Sequence, residues 1–270
     1  MFNSEYKLCA VDLDETLLGP DHEISARNES AVRRLATLGV NVVIASGRMH
    51  ESTLRYAKQL DLHGPIVSYN GAVVKEPDTG IEWLHHKVPV ECAEEILAYC
   101  EDQALQLNFY YDGFVHSDAN TEWLQLYCGR TGSPYKIQHG LRSAMRGIAP
   151  TKLLIVNTPE LTSGLAPYFK KRFEGVLYVT KSTDEYLEFM PAAASKGKAL
   201  ELVADRLGCV AAETIAIGDS YNDIPMITWA GLGIAVANAR PDVIKVADRV
   251  AERADEDGVA RILEDIYGLQ

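Results

Sequence analysis

The chain has 270 residues, enough for one large domain or two of ordinary size. Its 26 Lys and Arg against 38 Asp and Glu give a formal net charge of −12. That balance disfavours nucleic acid or an anionic membrane as a partner, but not a small anion held by a cation, one lysine and backbone N–H groups. No run of about 18 apolar residues marks a membrane span. The N-terminus, Met1 to Glu5, lacks the basic-then-apolar layout of a secretion signal. The five cysteines form no Cys-x-x-Cys pair. A reduced, cytoplasmic protein without a zinc site is the expectation.

In chain order, Tyr6 to Val11 reads as a buried strand that breaks into carboxylates at Asp12 and Asp14. Side chains two apart on an extended segment point the same way, so Asp12 and Asp14 face one site while Leu13 turns into the core. Two adjacent carboxylates repel each other unless a cation or a proton settles the charge. Ser25 has the chemistry of a helix cap, and a helix to about Leu38 follows, closed by Gly39. Val40 to Ala45 is a second buried strand, ending in Ser46-Gly47-Arg48, and Met49 to Leu60 a second helix. Ile66 to Ser68 is a third strand, and Asn70-Gly71 signals a hairpin turn. This alternation predicts an α/β fold with a parallel sheet.

Near Trp83 the pattern changes. Trp83 to His86, Leu105 to Tyr111, Phe114 to Ser117, Lys152 to Val156, Leu177 to Thr180 and Tyr186 to Phe189 read as short strands. Helices are predicted over Val90 to Cys100, Ala119 to Cys128 and Glu160 to Phe173, and Gly129 to Pro150 reads as loop with one helical turn. Residues 83–190 therefore form an α+β insertion between two parts of a first domain, 1–82 and 191–270. From Lys196 the alternation resumes. A helix to Leu207, a strand over Glu213 to Gly218, a helix through Ile227, a strand over Leu232 to Val236 and two short helices around Asp242 and Ala260 complete the chain.

The strand ending at Gly218 leads, like the first, into carboxylates: Asp219-Ser220-Tyr221-Asn222-Asp223. Ligands of parallel sheets bind beyond the carboxyl ends of the strands, so these ends converge on one crevice. Singly, each residue has an ordinary explanation: Ser46 as a helix cap, Lys196 as a solvated first-turn residue, Asp219 and Asp223 as caps. Together, and in this order, the four segments around Asp12, Ser46, Lys196 and Asp219 resemble the four motifs of the haloacid-dehalogenase superfamily. The long insertion and the wording Gly218-Asp219-x-x-Asn222-Asp223-x-x-Met226 are similar to its Cof-like phosphatase branch. Glu15 departs from the commoner wording, which has Gly at that position.

The resemblance implies a Rossmann-like core with an inserted cap domain that closes over the crevice and selects the substrate. It implies a Mg²⁺-dependent phosphatase acting on small phosphorylated metabolites, sugar phosphates or related cofactor phosphates, through an aspartyl-phosphate. Asp12 would be the nucleophile and Asp14 the general acid, then base. Asp12, the Asp14 carbonyl and Asp219 would hold Mg²⁺, with Asp223 close behind. Leu13, Ser46, Gly47, Lys196 and Asn222 would cradle the phosphate. Arg48 and Asn70 in the core, and Lys152, Tyr110 and His116 in the cap, are the candidates for further substrate contacts. A phosphomutase using the same aspartyl-phosphate and a non-catalytic phosphate sensor are the alternatives.

Overall fold

The structure, a computed structural model, describes residues 5–269. The reading of the N-terminus thus lies, Glu5 apart, outside the described residues. The chain divides into two compact units, one running up to Leu84 and again from Ser195, the other spanning His85–Ala194.

The first unit begins with β1 (Leu8–Val11), α1 (Ala26–Thr37), β2 (Asn41–Ile44), α2 (His50–Gln59), β3 (Ile66–Ser68) and β4 (Val73–Lys75), and β5 (Glu82–His85) runs across its boundary. Ser25 caps α1 by accepting the Asn28 N–H, as its position predicts. Leu13 to Leu17 curl into one wide turn whose Leu18 N–H returns to the Leu13 carbonyl at 2.8 Å. The tip of that turn, Glu15, has φ +57°, in the region that costs a glycine least. This is the physical reason for glycine as the commoner choice there. Asn70 (φ +55°) and Gly71 (φ +90°) make the tight link between the antiparallel strands β3 and β4.

The inserted unit contains α3 (Val90–Asp102), β6 (Leu107–Tyr111), β7 (Phe114–Ser117), α4 (Glu122–Thr131), β8 (Tyr135–Ile137), α5 (Leu141–Ala144), β9 (Lys152–Val156), α6 (Pro159–Arg172), β10 (Leu177–Lys181) and β11 (Tyr186–Pro191). Its six-stranded sheet has the order β10-β11-β9-β6-β7-β8. Leu107, Phe109, Leu153, Ile155, Leu187 and Phe189 alternate along their strands and build the core with Ile96, Leu97 and Phe169 from the helices. Two expectations are corrected. The stretch 129–150 holds a strand, β8, as well as a helical turn; the strand is short, exposed and at the sheet edge, so it carries no apolar alternation. Helix α4 starts three residues later than expected, because Thr121 accepts the Leu124 N–H and is the cap.

The chain then returns to the first unit with α7 (Lys196–Leu207), β12 (Thr214–Gly218), α8 (Ile224–Trp229), β13 (Leu232–Val236), α9 (Pro241–Val246), β14 (Arg249–Ala251) and α10 (Gly258–Tyr267). Strand β14 lay unrecognised in the sequence between the two expected short helices. Its three residues form a half-exposed edge with no apolar run. The five-stranded sheet has the order β14-β13-β12-β1-β2 and every pair is parallel. Its central strands are fully buried apolar runs, as a sheet covered on both faces requires. From β1 the chain moves to one side, to β2, and from β12 to the other, to β13. The order therefore switches between β1 and β12, the place where parallel sheets open a crevice.

Candidate active site

Strands β1 and β12 end side by side, with Val11 paired to Ile217 and the Asp12 N–H donating to the Ile217 carbonyl at 3.0 Å. The residues that follow them, Asp12 and Asp219, are therefore brought together from more than two hundred positions apart. Asp12 is 5% exposed and Asp219 6%. Carboxylate oxygens of Asp12, Asp219 and Asp223 all lie within 4.8 Å of one another. Asp12 and Asp14 both have extended backbones, and Leu13 between them is fully buried. Thr16, in the turn after β1, donates from its hydroxyl to Asp219 Oδ1 at 3.2 Å.

Lys196, the first residue of α7, is buried and reaches both Asp12 Oδ1 and Asp223 Oδ1 at 2.6 Å. Asp223 uses its other oxygen to accept the N–H groups of Asp219 (3.0 Å) and Ser220 (2.9 Å). It thus shapes the loop that presents Asp219. Gly218 leaves the room for this: a Cβ there would stand 2.5 Å from the Asp223 carboxyl carbon. Burial would lower the Lys196 pKa, but the two carboxylates more than offset it and hold the ammonium form.

Three buried carboxylates face one buried ammonium, so two negative charges are uncompensated. The consequence shows in the protonation of the site. Burial, together with repulsion from Asp223, Asp219 and Asp14, pushes Asp12 well above the usual carboxylate range despite Lys196. Burial and Asp223 push Asp219 up to about 7. An all-oxygen cluster whose full ionisation leaves two negative charges uncompensated fits a hard divalent cation. Asp12, Asp219 and Asp223 could hold one.

Asp14 is gripped by Arg48. The guanidinium donates to both carboxylate oxygens, Nε to Oδ2 at 2.9 Å and Nη2 to Oδ1 at 2.6 Å. Burial opposes the Arg48 charge, but the Asp14 fork outweighs it and raises the pKa above that of an ordinary arginine. Ser46 is fully buried at the end of β2 and accepts the Arg48 N–H at 3.1 Å. Asn222 donates to Asn70 Oδ1 at 2.8 Å. Gly47 lies against the same amide, where a Cβ would come within 2.8 Å of Asn70 Oδ1. Lys152 lies in the inserted unit, buried and paired with Glu188 Oε1 at 2.8 Å. His116, in the same unit, is buried with Nε2 3.2 Å from the Tyr111 carbonyl. Tyr110 is buried with its ring 5.5 Å from Lys152 Nζ.

The model of the haloacid dehalogenase-like hydrolases matches residues 9–263 of this sequence. The chain belongs to the haloacid dehalogenase-like hydrolases. A curated relative, phosphatase YwpJ of Bacillus subtilis, is 32% identical, with 96% of this chain and 99% of YwpJ covered. The 5-amino-6-(5-phospho-D-ribitylamino)uracil phosphatase YitU of the same bacterium is 27% identical, with 97% of this chain and 98% of YitU covered. Among solved structures, TM0651 of Thermotoga maritima superposes with a TM-score of 0.89 at 33% identity, covering 96% of this chain and 97% of its own. The chain is accordingly an enzyme of the phosphatase class within this family, of Cof-like type, with the α/β core and inserted α+β domain of such hydrolases.

Sequence reasoning had no role for three residues tied to the site: Thr16 on Asp219, His22 at 3.8 Å from Asp14 Oδ1, and Tyr56, whose hydroxyl accepts from Arg48. Thr16 had a signal, the single hydroxyl opening the apolar run Thr16-Leu17-Leu18. His22 and Tyr56 had none, because one lies in a polar turn and the other on a helix with ordinary apolar spacing.

Proposed function

We propose that the protein is a Mg²⁺-dependent phosphatase of small phosphorylated metabolites that transfers the phosphoryl group first to Asp12 and then to water. The observation that carries this is the buried Asp12 carboxylate, fixed by Lys196 at 2.6 Å beside two further carboxylates. A nucleophile needs to be held still and partly neutralised before a phosphate dianion approaches, and a buried ammonium at contact distance does both. Opposite unit charges ~4 Å apart at an effective dielectric of ~20 attract by ~4 kcal/mol, enough to matter for binding and for rate.

In this reading Asp12, the Asp14 carbonyl and Asp219 would hold Mg²⁺, with Asp223 behind them. The ion would supply charge neutralisation for a phosphate meeting a carboxylate. Asp12 attacks phosphorus, and Asp14 gives its proton to the departing oxygen and later takes one from water. Covalent transfer divides one slow displacement into two easier ones. Ser46, Gly47, Asn222 and the Leu13 N–H hold the non-bridging oxygens, at the entry to α2 and around the turn after β1. Arg48, Asn70 and Lys152 are the proposed contacts to the rest of the substrate. Small phosphorylated metabolites suit a strongly acidic chain better than nucleic acid, and YitU, named for a phosphoribityl substrate, is an instance among the relatives. All five cysteines are unpaired, which suits a cytoplasmic protein.

The test is hydrolysis of an aryl phosphate. Asp12→Asn is expected to lose at least ~10⁴-fold in kcat while keeping the wild-type circular dichroism and melting profile. Chelation should abolish the wild-type rate and Mg²⁺ restore it. Wild-type-like turnover by Asp12→Asn would remove the covalent mechanism, and turnover unaffected by chelation would remove the ion.

A further inference from the structure

A carboxylate that must deliver a proton to a leaving oxygen has to be aimed, and Asp14 is poorly placed to aim itself. Its side chain is 42% exposed, whereas Arg48, which forks it, is 7% exposed. A pair with one partner this open to water holds its geometry weakly unless the other is fixed from behind.

Arg48 is fixed from behind by Tyr56. The Tyr56 hydroxyl, on α2 and 1% exposed, accepts from Arg48 Nη1 at 3.2 Å and donates to the His22 carbonyl at 3.0 Å. It also accepts from Arg55 Nη2. His22 sits at the tip of a tight turn, with φ +60°, its N–H on the Gly19 carbonyl at 3.0 Å, and the turn closed by the Leu18–Ile24 bridge. The His22 imidazole in turn lies 3.8 Å from Asp14 Oδ1. Asp14 is thus flanked by Arg48 and by His22, and a single buried hydroxyl anchors both.

We propose that Tyr56 is the positioning residue of the proton-transfer step: its hydroxyl pins Arg48 and the His22 turn, and through them fixes the direction in which Asp14 meets the leaving oxygen. This rests on the reading of Asp14 as the acid and adds a residue that touches neither phosphate nor substrate. Asp14 needs to be aimed only where the leaving group needs a proton. A good leaving group departs as the anion and gains little from an acid, whereas an alkoxide gains ~10²-fold or more. A misaimed acid therefore has a signature that loosened packing lacks.

The experiment compares kcat/KM, which reports the first phosphoryl transfer, for 2,4-dinitrophenyl phosphate and for a primary alkyl phosphate. Tyr56→Phe keeps the ring and removes the hydroxyl. It is expected to lower the alkyl value about tenfold and the dinitrophenyl value less than about twofold. Arg48→Lys, which keeps the charge and loses the fork, should lower the alkyl value more than the dinitrophenyl value. In an Asp14→Asn background, Tyr56→Phe should cost nothing further on the alkyl ester, since two residues acting through one group are not additive. Equal losses on both esters, no loss on either, or a Tyr56→Phe loss that persists undiminished in Asp14→Asn would overturn the inference and leave the phosphatase reading intact. Failure of the unaltered protein to hydrolyse either ester would overturn both.

Discussion

Lys196 in the parallel-sheet unit and Lys152 in the inserted unit are both almost wholly buried, and each has its ammonium within hydrogen-bond reach of a carboxylate, at 2.6 and 2.8 Å. Their surroundings differ. Lys152 meets one carboxylate, Glu188, whose same oxygen accepts from Ser182 at 2.7 Å, while the Tyr110 ring lies 5.5 Å from the ammonium. Positive and negative charge are equal there. Lys196 meets Asp12 and Asp223 at once, with Asp219 beside them, so the cluster keeps an excess of negative charge. A buried ion pair that balances is closed. One that does not balance costs stability and has capacity left for a cation and for chemistry.

The contrast can be broken most severely at Lys196. Lys196→Met should lower kcat/KM for an aryl phosphate by roughly 10³-fold, the rate equivalent of ~4 kcal/mol, in protein that circular dichroism shows to be folded. A loss of less than tenfold would mean that the ammonium does not neutralise the reacting groups.

Lys152 should fail in a different quantity. Lys152→Met strands the Glu188 charge and should cost about 3–5 kcal/mol of unfolding free energy, read from urea denaturation. Replacing the pair together, Lys152→Met with Glu188→Leu, should return most of that loss. A fall in kcat/KM per folded molecule in the double variant would bear out the substrate contact proposed for Lys152, and an unchanged value would remove it.

The smallest effect sharpens the rule that an uncompensated buried group matters. His50, at the start of α2, is 4% exposed and its Nδ1 has no hydrogen-bond partner among the described residues. Burial, helped by Lys75, lowers its pKa to about 4. A histidine titrating lower in the folded state than the ordinary ~6.5 contributes stability that is complete above ~6.5 and is lost as pH falls through the folded value. Between pH 6.5 and 4 the unaltered protein should lose up to about 3 kcal/mol through this group. His50→Gln should flatten that part of the curve, measured as urea midpoints against pH, and an unchanged acid slope would show that His50 is not responsible.

How much of this was legible beforehand depended on how local the cause was. Strands β1, β2 and β12 announced themselves as apolar runs ending in Asp12, Ser46 and Asp219, because a strand buried on both faces has no alternative composition. Ser25 and Gly39 set the limits of α1 by local capping chemistry alone. Strands β8 and β14 were not legible, since three residues at a sheet edge, most of them exposed, carry no period. At the site, the residue types and the strand ends were visible, but the partnerships were not. That Asp223 both pairs with Lys196 and ties down the Asp219 loop depends on the close approach at Gly218. That Arg48 grips Asp14 depends on a hydroxyl eight residues further on, which no spacing rule singles out.

The central claim is that the excess negative charge around Lys196 serves phosphoryl transfer to Asp12. The most direct measurement is the mass of the enzyme during turnover. Asp14→Asn, which lacks the base that releases the phosphoryl group, is mixed with substrate and Mg²⁺, quenched in acid within milliseconds, and digested for peptide mass analysis. The account predicts one added phosphoryl group on the peptide carrying Asp12 and none when Asp12 is also changed to Asn. Phosphate release with no labelled peptide, or a label on any other residue, would contradict it.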